Sequence, residues 1–133
     1  MINSKTNRLW AIVLLLILSC SKQQPKLKAL SGYWEIDFVK HKEEQFIPKV
    51  GQPLYDFYHL EELRGVRKKV VPKFDGSFQT SEDQTPFVVD KLNEELILQF
   101  KTPWDSWSEQ IMYLDTTKLV LFHNNNEYHY KRP

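Results

Sequence analysis

Alternation of apolar and polar residues with a period of two, broken repeatedly by turn-forming residues, constrains this chain more than any other feature. In residues 32–39, Trp34, Ile36 and Phe38 fall on one face, with Glu35 and Asp37 on the other. Residues 95–101 repeat the pattern, with Leu96, Leu98 and Phe100 opposite Glu95, Gln99 and Lys101. Shorter or less regular runs of the same kind cover residues 54–60, 66–71, 87–89 and 107–114. Asp75-Gly76, between Phe74 and Phe78, is a two-residue hairpin signal, because both residues tolerate positive φ. Asp115-Thr116-Thr117 forms a polar turn, and residues 119–123 and 127–131 flank a three-residue turn at Asn124-Asn125-Asn126. Residues 58–65 admit a turn of helix capped by Gly65, but strand and loop is the preferred assignment. The expectation is an all-β chain: a small antiparallel up-and-down β-barrel of about eight strands, with a β-sandwich as the alternative.

The N-terminus concerns location rather than fold. Lys5 and Arg8 precede an apolar run at 9–18, far short of the roughly 20 residues a spanning helix needs. A basic start, a short apolar run and a small-residue cleavage site describe a secretory leader. The sequence Ile17-Leu18-Ser19-Cys20 resembles the lipobox of bacterial lipoproteins, and Cys20 is the only cysteine of the chain. That resemblance implies cleavage before Cys20 and acylation of its thiol, with two or more chains giving stable tethering to a membrane. Ser21-Lys22-Gln23-Gln24 carries no acidic residue, which in such lipoproteins implies the outer membrane, facing the periplasm. The expected division is a signal peptide at 1–19, a lipidated Cys20 with a polar tether to 29, and one barrel domain at 30–133.

Removal of residues 1–19 leaves 114 of the 133 residues, enough to bury a core. Lys5 and Arg8 leave with the leader, so 16 basic side chains face 17 acidic ones in the mature chain. Near neutrality argues against a nucleic-acid partner. No Gly-x-Ser-x-Gly elbow, His-Glu-x-x-His pair or glycine-rich phosphate loop is present, so nothing points to an enzyme or to a cofactor.

The first and last strands carry the most specific pattern. Gly32-Tyr33-Trp34 opens the first, and Tyr130-Lys131-Arg132 ends the last. Together they resemble the lipocalin and fatty-acid-binding (calycin) superfamily. The resemblance implies that Trp34 plugs the closed end of the barrel and that Arg132 packs across it, with Gly32 as the third residue of that barrel base. It further implies a small apolar or amphipathic ligand, for which Trp104 and Trp107 are the candidate contacts. The alternative is a structural or protein-interaction lipoprotein whose barrel is filled by its own aromatics.

Three further groups can be placed. With a three-residue final turn, Val120 and Phe122 share an inner face with Tyr128 and Tyr130, while His123, Glu127 and His129 share the outer one. That trio is read as a solvated face and not as a metal site. Arg64, Arg67, Lys68, Lys69 and Lys73 form a basic cluster, read as a strand whose charges face water rather than anionic headgroups.

Overall fold

The computed structural model describes residues 27–48 and 55–133. The expected leader and Cys20 lie outside the described residues, as do the tether up to residue 26 and the first residue of the run expected at 54–60.

Among the described residues a 3-10 turn, Leu27–Leu30, leads into nine strands: β1 (Gly32–His41), β2 (Glu44–Phe46), β3 (Tyr55–Glu61), β4 (Arg64–Pro72), β5 (Phe78–Leu92), β6 (Glu95–Lys101), β7 (Ser106–Leu114), β8 (Lys118–His123) and β9 (Asn126–Lys131). All neighbours are antiparallel, in the order β2-β1-β3-β4-β5-β6-β7-β8-β9, and β1 also pairs with β9. That last pairing closes an eight-stranded up-and-down barrel, the architecture expected from the alternation. β1 holds the seam: Gly32–Glu35 pair with β3, and Glu35–His41 pair with β9. The short β2 was not anticipated; it continues the β3 side of β1 from Val39 to His41.

Turn chemistry sets the registers. Glu62 and Leu63 join β3 to β4 in two residues, with Glu62 at φ 57°, so residues 58–65 are strand and turn, not helix. At residues 73–77 the expected two-residue turn gives way to a three-residue loop. Lys73 N donates to Ser77 O at 2.7 Å, and Gly76, unlike Asp75, takes positive φ. The final hairpin departs the other way. Asn124 and Asn125 sit at φ 51° and 62°, and His123 pairs directly with Asn126, leaving a two-residue turn. Asparagine tolerates the left-handed region, so both turn positions can be filled without glycine.

One residue in that turn reverses a face. Leu119 and Leu121, opposite Tyr130 and Tyr128, are fully buried, while Val120 and Phe122 belong to the outer face. The core otherwise follows the alternation: Trp34, Tyr58, Phe87, Val89, Leu98, Phe100, Ile111 and Leu114 join Leu119 and Leu121. Gly65 leaves room for it, since a Cβ there would lie 2.7 Å from the Phe87 ring. Leu27 and Ala29, expected in the polar tether, pack against this core from the 3-10 turn. Outside the barrel, Phe78 stacks on Tyr33 at 4.4 Å, and Tyr33 meets Phe57 at 4.9 Å, a small aromatic layer over β1 and β3.

Candidate functional site

The strand directions give the barrel two ends. The 3-10 turn, the start of β1, the β3–β4, β5–β6 and β7–β8 turns and Arg132 mark one; β2 and the β4–β5, β6–β7 and β8–β9 turns mark the other. The first end is closed. Trp34 is fully buried and its indole Nε1 donates to Leu30 O at 2.8 Å. The Arg132 guanidinium lies 3.6 Å from the centroid of that indole, a cation–π contact. Arg132 also donates to four carbonyls: Tyr33 at 2.9 Å, Ala29 at 2.5 Å, Ser31 at 3.3 Å and Thr116 at 3.1 Å. Gly32, at φ 116°, lets this happen; a Cβ there would come within 3.0 Å of Arg132 Nη1. Arg132 thus lies against both Trp34 and Gly32. A hollow of about 630 Å³ lies beside this end, where Leu27, Leu60 and Leu63 meet Lys28, Ser31, Glu62 and Lys91.

The interior above the plug is different. Arg67, on β4, points inward opposite Tyr58 and meets Glu109 of β7. Its Nη1 donates to both carboxylate oxygens, at 3.1 and 3.0 Å, and to Tyr58 Oη at 3.3 Å. The two charged side chains are only 13% and 9% exposed. Trp107 Nε1 donates to Glu109 Oε2 at 2.9 Å, and its indole stacks on Phe100 at 5.3 Å. The guanidinium lies over the Phe100 ring, 4.1 Å from its centroid. Among the described residues, every side-chain hydrogen bond of Arg67 runs through Nη1. The N–H groups on Nη2 and Nε are left over from the pair.

Electrostatics bind this layer together. Burial opposes the Arg67 charge, but Tyr58 and Glu109 beside it hold its pKa above the ordinary value. Burial drives the Tyr58 hydroxyl far above the usual tyrosine range, with Arg67 pulling partly the other way. Tyr130 is pushed up as well, by burial and then by the nearby Asp56 carboxylate. Asp56 is itself buried and faces Lys69 Nζ at 2.5 Å, while the Lys69 side chain is mostly exposed. The interior therefore holds two acid–base pairs, one deep and one reaching outward.

The basic cluster read from the sequence is split by this arrangement. Arg67 is an interior residue, not a water-facing one, because the two-residue turn before β4 places it across from Tyr58. The tight turn between Leu60 and Gly65 was the signal available for it. Glu109 was missed too, although Trp107-x-Glu109-x-Ile111 puts a lone acid at apolar parity on β7.

The tryptophan pair separates. Trp107 lines the interior, whereas Trp104, in the bend between β6 and β7, is 91% exposed at the open end. Phe46, Ile47 and Phe74 are also exposed at that end. Glu127 and His129 of the expected trio share the outer face, opposite Phe122 and Val120, but His123 leaves it. His123 sits at the parity of Leu121 and its Nδ1 lies 2.9 Å from Ser108 O, while His129 stacks on Phe38 at 4.2 Å. The reason is the same one-residue shortening of the last turn. Among the described residues no group of His, Cys, Asp or Glu has the arrangement of a metal site.

No family model matches the chain, and no curated protein matches it either. Among solved structures it is similar to apocrustacyanin C1, at 14% identity and a TM-score of 0.51, over 98% of this chain and 70% of that one. It is similar to lobster apocrustacyanin A1 at 16% identity and a TM-score of 0.49, with 98% and 70% covered. A lipocalin-like protein from Bacteroides uniformis aligns at 12% identity and a TM-score of 0.47, over 79% of this chain and 99% of that one. The fold of the chain is lipocalin-like.

Proposed function

We propose that this chain is a cell-envelope lipoprotein, anchored through Cys20, that carries a small amphipathic molecule in the mouth half of its barrel. The observation that carries the reading is the Arg67–Glu109 pair, buried among Phe100, Trp107 and Tyr58. A buried ion pair is a poor way to stabilise a small core, since packed apolar residues of similar volume do as well or better. Its retention inside a barrel, with N–H groups of Arg67 left over from the pair, fits a polar contact for a bound molecule. The lipocalin-like fold supports the same reading, because barrels of this size hold either their own side chains or one small ligand.

Titration of residues 21–133 with an apolar fluorophore tests it. Saturation near one site per molecule is expected, with quenching of Trp107 emission and displacement by long-chain amphiphiles. A folded domain that takes up no apolar probe would instead be a filled barrel with a structural or interaction role. The lipobox-like residues ending in Cys20 and the absence of an acid in Ser21–Gln24 support an outer-membrane anchor facing the periplasm. Metabolic labelling with a fatty acid should mark the wild type and not Cys20→Ala; equal labelling of both would remove Cys20 as the acceptor.

A further inference from the structure

A carrier whose polar contact is a lone arginine would select an anion. Here the arginine is already matched. Glu109 takes Nη1 of Arg67 on both of its oxygens, and the next interior carboxylate, Asp56, faces Lys69. The tyrosines of the same layer, Tyr58 and Tyr130, are neutral hydroxyls. Over the interior, Arg67 and Lys69 balance Glu109 and Asp56. What remains unspent is hydrogen-bonding capacity, the N–H groups on Nη2 and Nε of Arg67, and not charge.

We infer that the interior selects amphiphiles with an uncharged oxygen headgroup, such as an alcohol, amide, ketone or ester, over the corresponding carboxylate. This rests on the carrier reading proposed above and sharpens it. A carbonyl or hydroxyl oxygen accepts from the free edge of the Arg67 fork while Glu109 and Trp107 keep their bonds. A carboxylate reaching the same edge adds a second anion to one guanidinium, beside a pair whose two side chains are only 13% and 9% exposed. It must displace Glu109, leaving that side chain buried without its partner, or lie unpaired itself; either costs more than the new bond returns. A saturated tail is common to all these ligands and does not discriminate. Selection therefore rests on the headgroup alone.

The barrel closes on itself within residues 27–133 through the β1–β9 pairing, so residues 21–133 serve for the measurement. Dodecanol, dodecanamide and dodecanoate share one tail, and at pH 8 only dodecanoate is charged. Competition against a bound apolar fluorophore should rank the alcohol and amide at least about tenfold tighter than the carboxylate, the effect of one unmatched charge beside a buried pair. Glu109→Gln removes the internal counter-charge and should invert the order, with dodecanoate gaining at least about tenfold. Equal binding of the three ligands by the wild type, or a preference for dodecanoate, would overturn the inference and leave the carrier reading standing. Failure of the fluorophore and all three ligands to bind would overturn both. If Glu109→Gln does not fold, the wild-type ranking decides alone.

Discussion

At the closed end Trp34 is fully buried, and Arg132 spends its donors on backbone carbonyls and its face on that indole. Within the barrel two opposite charges meet between β4 and β7 and leave part of one fork unused. Both regions place an arginine over an aromatic ring, at 3.6 Å from Trp34 and 4.1 Å from Phe100. The same contact thus serves different ends. Bonded to carbonyls of separate chain segments, an arginine is a latch; bonded to one carboxylate in an aromatic layer, it is a recognition group. The partners of the guanidinium decide which.

The sharpest way to break this comparison is to empty the closed end. Trp34→Ala should cost about 3–5 kcal/mol, as deletion of a buried indole does elsewhere, seen as a lowered midpoint in denaturant melts. Next in size is the charged pair. Arg67→Met alone leaves Glu109 buried without its cation and should cost about 3–5 kcal/mol at most. Arg67→Met with Glu109→Leu should recover most of that loss and abolish uptake of the apolar probe's polar competitors. A double variant as unstable as the single would make the pair a structural brace and erase the contrast between the two regions.

The latch itself comes third. Arg132→Ala should cost roughly 1–3 kcal/mol, because it removes the hydrogen bonds to the carbonyls and the cation from the indole face. Combined with Trp34→Ala it should cost less than the two losses together, because the residues touch. Additive losses would mean that the plug and latch act separately.

Alkaline melts test the buried tyrosines of the interior. Tyr58 and Tyr130 have folded pKa values above the ordinary one of about 10. The folded state therefore keeps protons that the unfolded state releases, so their stabilisation is complete below about pH 10 and falls as pH rises above it. Tyr58→Phe should flatten that fall by about one proton's worth, roughly 1.4 kcal/mol per pH unit in slope. An unchanged slope would show that Tyr58 is not held neutral by burial. The smallest effect is expected at the rim: Trp104→Ala should change stability by less than about 0.5 kcal/mol, and a larger loss would place this indole in the fold rather than at the mouth.

The two regions also differ in how far the sequence exposes them. Trp34 and Arg132 are visible because each lies beside a chain feature of its own, a Gly-x-Trp step and the end of the last strand. Arg67 hides in a basic run whose neighbours do face solvent, and its direction depends on the length of the turn that precedes its strand. The last hairpin shows how fine that dependence is. Counting Asn126 into the turn, and not into β9, sends Val120 and Phe122 inward and gathers His123 with His129. With Asn126 paired to His123, Leu119 and Leu121 take the core instead. Composition is blind to this, because side-chain direction in a strand alternates with every residue counted. Glu109 was legible in principle, as an acid on an apolar face, but its partner became legible only with the register.

Because β1 pairs with β9, the first strand of the barrel waits for the last. Every other neighbour in the closed barrel is joined by a short connection or by the segment between β1 and β3, so those pairs form from nearby chain. The seam and its latch do not: Arg132 reaches Tyr33 across 99 positions and Ala29 across 103. Contacts at such separation are late and slow in folding, since loop-closure entropy is met before they return anything. Until then β1 and β9 are both open edges, the state in which a β-protein is most prone to pair with another copy. A chain cut short by its last few residues would lose the Arg132 latch and part of the seam together. The bonds that finish the barrel are thus also a test of completeness, made only by a molecule whose two ends have both arrived.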